Sequence, residues 1–443
     1  MTGAGVMRPE LLAPAGSLDA VRAAFANGAD AVYLGVGRFN ARDEGAQISL
    51  DDLAVACRIA HGRGGRVYLT LNTLVKQQEI ADALELLGDC VDRGIDAVLV
   101  QDLGLVTLIR QLYPALDIHG STQMSVHDAS AARVVRDLGA VRVVLARENT
   151  LDDVRAIRAA VGEIGIETFV HGALCISYSG QCFMSGMISE RSANRGSCAQ
   201  SCRKDYVLAE SGGAELDRGY LISAKDLGAY DHLRAIAEAG VGCLKIEGRK
   251  KKPEYVATVT RAYREFLTRI EQGVFAPPTI EDAEPLVQIF SRGFTGGMLG
   301  GRQGRGYVTR THPDNRGLEI GTVVSSADGE VIIDVRHPVE VGDGLGFEPP
   351  GGAAPGETTG FAVRAVRTIG DVPAGVRQAV AGRVSVAPGW VVVRTSDAAL
   401  LAAARASFAD VTDGAGSRDQ IGVRAFGSAG GPLKLVFTSR GDA

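Results

Sequence analysis

ELLAPAGSLDAVRAAFANGADAVYLG, residues 10–35, holds one short apolar run (Glu10–Ala13), an amphipathic stretch (Leu18–Asn27) and a second apolar run (Ala31–Leu34). That order is a β/α/β unit, and Gly28 is placed where a helix ends on a left-handed residue. The pattern repeats outward. Further strands are expected at Val67–Leu71, Ala97–Val100, Leu116–His119, Val141–Leu145, Ile166–His171 and Cys243–Glu247. Helical patterns lie between them, among them Leu53–Arg63, Ile80–Arg93 and Ala129–Leu138, with Gly94 and Gly139 as two further stops. Eight such units over about 250 residues fit a TIM-type β/α barrel better than the alternative, an open doubly wound sheet. In either fold ligands gather at the carboxyl ends of the strands, where His119, His171 and Glu247 are expected.

Past Val274 the texture changes. Pro277, Pro278 and the glycine-rich run from Gly293 to Gly306 read as a connector or exposed loop. After Arg316, alternating strands separated by turns predict a small β-rich barrel or sandwich. The expected division is therefore a barrel over 1–275 with a cysteine-rich segment at 167–206, a connector over 276–316, a β-rich domain over 317–395, and the start of a further, possibly truncated domain over 396–443.

With 46% hydrophobic and 22% charged residues the composition is that of an ordinary globular chain. No run of about 18 apolar residues marks a membrane span, and MTGAGVMRPE lacks the pattern of a signal peptide. A cytoplasmic protein is expected. The net charge of −5 excludes a global basic field for nucleic acid, so any RNA partner must be held by local patches. Aromatic residues at 5% argue against an extended base-stacking platform.

Seven cysteines in a cytoplasmic chain point to metal or redox chemistry rather than disulfides. Four fall within ETFVHGALCISYSGQCFMSGMISERSANRGSCAQSCRKDY, residues 167–206. Six residues separate Cys175 from Cys182, fifteen separate Cys182 from Cys198, and three separate Cys198 from Cys202. Thiolates suit zinc or an iron–sulfur cluster. Structural zinc sites use closely paired knuckles, and only Cys198 and Cys202 are spaced that way. The spacing favours iron–sulfur over zinc, with unligated packing thiols as the remaining reading. Cys57 and Cys90 sit on apolar helix faces as packing residues. Cys243, at a strand start, is an alternative ligand.

The same segment carries Glu167, Phe169, Gly172, Ala173, Leu174, Cys175, Gly180, Cys182 and Ser185, a set that resembles the signature of the peptidase U32 family. ELLAPAGS (Glu10 to Ser17), ADAVYLG (Ala29 to Gly35), FNAR (Phe39 to Arg42), LKIEGR and PEYV (Leu244 to Val256) extend the resemblance over residues 8–310. The family name records a collagenase-like peptidase, yet its better-understood members are iron–sulfur RNA C5-hydroxylases acting on a wobble uridine of tRNA or a cytidine of rRNA. Relatives hydroxylate a quinone precursor without oxygen. The resemblance implies a 4Fe-4S cluster on Cys175, Cys182, Cys198 and Cys202, iron–sulfur assembly machinery as a partner, and prephenate as co-substrate. NRGLEIGTVV, EVGDGLGF and VRTSDAALLAAARASF, after residue 314, look more like the longer rRNA type (5-hydroxycytidine synthase) than the tRNA type. A peptidase and a non-catalytic iron–sulfur RNA-binding module are the rival functions. Neither HExxH nor GxSxG occurs to support proteolysis.

His171, at a strand end four residues before Cys175, is a catalytic or supporting candidate. Lys245, Glu247 and Arg249 alternate with Leu244, Ile246 and Gly248 and so share one predicted strand face, where charge is costly unless paired or used; the first two are assigned catalysis. Arg249, Arg42 and Arg147 are candidates for the carboxylates of prephenate, because guanidinium binds such groups in bidentate fashion. Two basic patches are candidates for RNA: Arg191, Arg195, Arg203 and Lys204, and Lys250, Lys251 and Lys252 beside Arg249. A basic run is otherwise an ordinary solvated face. No Rossmann or P-loop motif is present.

Overall fold

The computed structural model describes residues 8–42, 47–274, 276–301, 303–351, 359–413, 422–427 and 433–438. Strands and helices first alternate as β1 (Glu10–Pro14), α1 (Leu18–Ala26), β2 (Ala31–Leu34), α2 (Leu50–His61), β3 (Arg66–Leu71), α3 (Ile80–Val91) and β4 (Ala97–Val100). They continue as α4 (Leu103–Leu112), β5 (Asp117–Gly120), α5 (Ala129–Asp137), β6 (Arg142–Val144), α6 (Leu151–Val161) and β7 (Gly165–Ala173). After an insertion, β11 (Cys243–Ile246) pairs in parallel with both β7 and β1, which closes the barrel and rules out the open sheet. The insertion holds α7 (Met184–Ser189), β8 (Tyr206–Ala209), β9 (Glu215–Ala224), β10 (Asp226–Gly228) and α8 (Leu233–Glu238).

The chemistry of the chain explains these elements. β2 and β4 are buried throughout, as strands covered on both faces must be. Leu11, Leu12, Leu34, Leu69 and Leu71 are fully enclosed, each worth about 1.5–3 kcal/mol in burial. Ser17, Ser49, Asp102, Asp128 and Thr150 accept backbone N–H groups at the starts of α1, α2, α4, α5 and α6. Gly28, Gly94 and Gly139 take positive φ beyond helix ends, as their positions predict.

The stretch 276–316 is more than a connector. After α9 (Pro253–Glu271) it carries α10 (Ile280–Ile289), which packs on α9, then β12 (Phe294–Thr295), which pairs with β10, and β13 (Val308–Arg310), which pairs with β9. Beyond it lie β14 (Leu318–Ala327), β15 (Glu330–Val335), β16 (Gly344–Glu348), β17 (Thr359–Ala362), β18 (Val366–Val372), β19 (Gly375–Ala381) and β20 (Val391–Ser396). These form one antiparallel sheet whose ladder runs from β17 to β18, around a second core of Ile320, Ile333, Phe347, Val380 and Val392. Gln288 and Arg394 exchange hydrogen bonds of 2.8 and 2.9 Å between α10 and β20. In the last expected segment, α11 (Ala398–Ala406) packs back on α9, with Arg405 to Glu254 at 2.7 Å. β21 (Gly422–Phe426) and β22 (Lys434–Thr438) pair as a hairpin; Ile421 and the final SRGDA lie outside the described residues.

Candidate functional site

At the carboxyl ends of the barrel strands lies a cavity of about 440 Å³, where the fold collects its loops. The turn after β11 is held from three sides. The Glu247 N–H donates to His171 O (2.8 Å), Tyr33 Oη donates to Ile246 O (2.9 Å), and Tyr255 Oη donates to Glu247 O (3.0 Å). Gly172, at φ +102°, lets this turn approach β7, since a Cβ there would stand 2.6 Å from Glu247 O.

Glu247 is bridged by two arginines from other loops: Arg42 Nη2 lies 2.9 Å from Oε1 and Arg147 Nη2 lies 3.1 Å from Oε2. Burial alone would raise this carboxyl, but Arg42 and Arg147 overcome it and hold it at about 2. Arg147 also stacks over the Phe169 ring at 4.0 Å. Arg249 is buried in the wall, donating to Thr70 Oγ1 (2.8 Å) and Asn40 Oδ1 (3.1 Å), and burial lowers its pKa to about 10. Lys245 also lines the cavity, paired at 2.8 Å with the fully buried Glu167, its ammonium 4.3 Å from the centre of the Tyr33 ring. All three charges of LKIEGR therefore reach one cavity, Lys245 from β11 and Glu247 and Arg249 from the turn beyond its end at Ile246.

Cys175, Cys182, Cys198 and Cys202 all line this cavity, and none is in a disulfide. Their loops are fixed by side chains. Cys182 N–H donates to Asn194 Oδ1 (3.1 Å), Ala199 N–H to Ser185 Oγ (3.2 Å), and Arg203 to Leu174 O (3.0 Å) and Ser223 Oγ (2.8 Å). Gly180, at φ +73°, leaves no room for a Cβ, which would fall 2.1 Å from Gln123 O. Burial raises the pKa of Cys175 and of Cys202, so a bound cation would be needed to keep them as thiolates. Among the described residues no three His, Cys, Asp or Glu side chains converge as a single ion requires. Four thiols around one cavity are the kind of donor set that soft metal centres such as iron–sulfur take. Cys57 and Cys90 are buried in α2 and α3, and their thiols are pushed up to about 12. Cys243 lies at the other end of the barrel, 3.4 Å from Glu10, away from the four.

His171 is outside the cavity lining. Burial lowers its pKa to about 4, and it packs on Tyr255, Tyr263 and Phe294 with Nδ1 3.3 Å from Tyr263 Oη. His119 is buried against Tyr68 inside the barrel, not at its mouth. The first basic patch disperses: Arg203 is an internal anchor and Arg195 binds Glu79 at 2.8 Å, while Arg191 and Lys204 are exposed. In the second, Lys250 and Lys252 are exposed. Lys251 is tucked over Phe290, its pKa lowered to about 8 by burial. Residues without a distinctive motif complete the wall, notably Asn72, Gln123 and Tyr178. Asn72 accepts from Ala41 N–H (3.0 Å) and donates to Ser121 Oγ (3.1 Å). Its position, first after an apolar strand, was the available signal.

The family model described as Peptidase family U32 matches residues 16–308. A 23S rRNA 5-hydroxycytidine synthase of Escherichia coli is 38% identical over 346 residues, 76% of this chain and 52% of that protein. The chain thus spans about half the length of that relative. The tRNA hydroxylation protein P of Escherichia coli is 31% identical over 409 residues, 78% of this chain and 87% of that protein. A collagenase of Porphyromonas gingivalis is 35% identical over 311 residues, 67% of this chain and 74% of that protein.

Proposed function

The chain belongs to peptidase family U32, and from that premise we propose that it hydroxylates C5 of a pyrimidine in RNA, rRNA before tRNA, without molecular oxygen. The observation that carries this reading is the meeting of four thiols with Arg42, Arg147 and Arg249 around one cavity of a barrel. Relatives named for rRNA and tRNA hydroxylation support the substrate class. Cys175, Cys182, Cys198 and Cys202 would hold a 4Fe-4S cluster, which supplies redox chemistry or a Lewis-acidic site when bound. Replacing C5–H by C5–OH is a two-electron oxidation, and its oxygen atom and oxidising equivalents come from a co-substrate, which we take to be prephenate.

The chain's own residues then do the binding. Each guanidinium has five N–H donors, and the contacts of Arg42, Arg147 and Arg249 leave donors for the two carboxylates of prephenate. Glu247, ionised and held at about 2, is a poor proton acceptor, so its role is to set Arg42 and Arg147 across the mouth. Lys245 is a structural ion-pair partner of Glu167. The target base must leave its stack to enter. Cluster delivery by iron–sulfur assembly machinery and action in the cytoplasm belong to the same reading. No helix among the described residues is long and apolar enough to cross a membrane. Proteolysis through a Cys175–His171 pair is disfavoured, because His171 is held by Tyr263 outside the cavity.

Comparing nucleosides from a deletion strain and its parent tests the proposal. Loss of one hydroxylated pyrimidine, one oxygen heavier than its parent base, is expected. An unchanged nucleoside profile with a lost peptidase activity would overturn it.

A further inference from the structure

The insertion between β7 and β8 exposes apolar surface in a way the rest of the barrel does not. Tyr178 is 72% exposed, Phe183 66%, Met187 86% and Ile188 58%, all within eleven residues of chain. Tyr178 and Phe183 are two of only three exposed aromatic side chains among the described residues, Phe426 being the third. An exposed cluster of this kind marks a contact surface.

Its position says what it contacts. Tyr178 and Cys182 line the cavity, and Phe183 follows Cys182 directly as α7 begins. Arg191 borders α7, its carbonyl beside Gly186, and the exposed Lys250 lines the cavity mouth within electrostatic reach of Arg191. Tyr178 at the opening and the exposed Phe183 next along the chain from a lining residue, with cations nearby, match unpaired nucleotides: π-faces for the bases, positive charge for the phosphates.

Resting on the reading of the chain as an RNA-modifying enzyme, we propose that Tyr178 and Phe183 form a base-stacking step at the cavity mouth, holding nucleotides that flank the one entering. The aromatic fraction of the chain is too low for an extended platform. A two-ring step needs no more than these.

The test is affinity, by fluorescence anisotropy, for a labelled pyrimidine-rich single-stranded RNA and for a duplex of equal length. The wild-type protein should prefer the single strand. Tyr178→Ala and Phe183→Ala should each weaken single-strand binding about tenfold, with iron content and thermal melting unchanged. Tyr178→Phe should bind as wild type. Phe183→Leu, which keeps apolar area but loses the ring, should resemble Phe183→Ala. If wild type binds RNA and the alanine variants bind equally well, the step is refuted while the function stands. Equal binding by Phe183→Leu and wild type refutes stacking. Self-association through this face, seen as wild-type mass rising with concentration and abolished by Phe183→Ala, assigns the surface to a second copy instead. If the cluster-loaded wild type binds neither RNA, the function itself fails.

Discussion

Replacing Glu247 by Gln keeps the shape of the side chain and removes the charge that Arg42 and Arg147 share. The wild-type carboxyl is only 13% exposed, and its pKa drops from an ordinary 4.5 to about 2. At 1.36 kcal/mol per pH unit, that drop corresponds to roughly 3 kcal/mol in favour of the charged form. Removing one partner of a buried ion pair costs about 3–5 kcal/mol, of the same order. Glu247→Gln should therefore lose about 3 kcal/mol near neutral pH, read as a lower melting temperature by circular dichroism. Because the folded pKa lies below the ordinary value, the wild-type advantage is complete above pH 4.5, shrinks as pH falls, and is gone below about 2. The variant leaves the guanidinium groups of Arg42 and Arg147 without their anion, so a dicarboxylate such as malonate should restore stability. At a hundred times its Kd, a ligand binding only the folded state adds about 2.7 kcal/mol. A variant as stable as wild type, or one that malonate stabilises no more than wild type, would refute the reasoning.

Lys245→Met leaves Glu167 with Arg142 at 3.4 Å as its remaining cation among the described residues and should cost about 3 kcal/mol; the double variant with Glu167→Gln should regain much of it in urea unfolding monitored by circular dichroism. Serine at Cys175, Cys182, Cys198 or Cys202 should lower iron content and visible absorption, whereas Cys57→Ser, Cys90→Ser and Cys243→Ser should not. Neutralising Lys250 and Lys252 should flatten the log–log dependence of RNA affinity on salt by roughly 0.7–0.9 per charge, with iron content intact.

The barrel was legible because its strands are short enclosed apolar runs and its helices stop at glycine; the predicted ranges for β2 and β4 coincide with those observed. The hairpin of β8 and β9 was not, since residues such as Leu208, Glu215 and Leu216 are exposed and no buried alternation marks them. β10 and β12 are too short to carry a period, and they exist by pairing with the barrel sheet. At the site, chain position brought Arg42, Arg147, Glu247 and the four cysteines onto the candidate list. Direction was the hidden variable. Lys245 is taken up by Glu167 across the β7–β11 pairing, and whether His171 meets Cys175 depends on aromatic rings from α9 and β12 far along the chain.

The measurement that bears most directly on the central claim is nucleoside mass spectrometry on RNA treated with the cluster-loaded chain under anaerobic conditions, with prephenate, using RNA from a strain lacking the gene. One pyrimidine should gain a single oxygen atom, only when prephenate is present, and Arg147→Ala should abolish the gain. No gain on rRNA or tRNA from cluster-loaded protein, together with cleavage of a collagen peptide, would contradict the account.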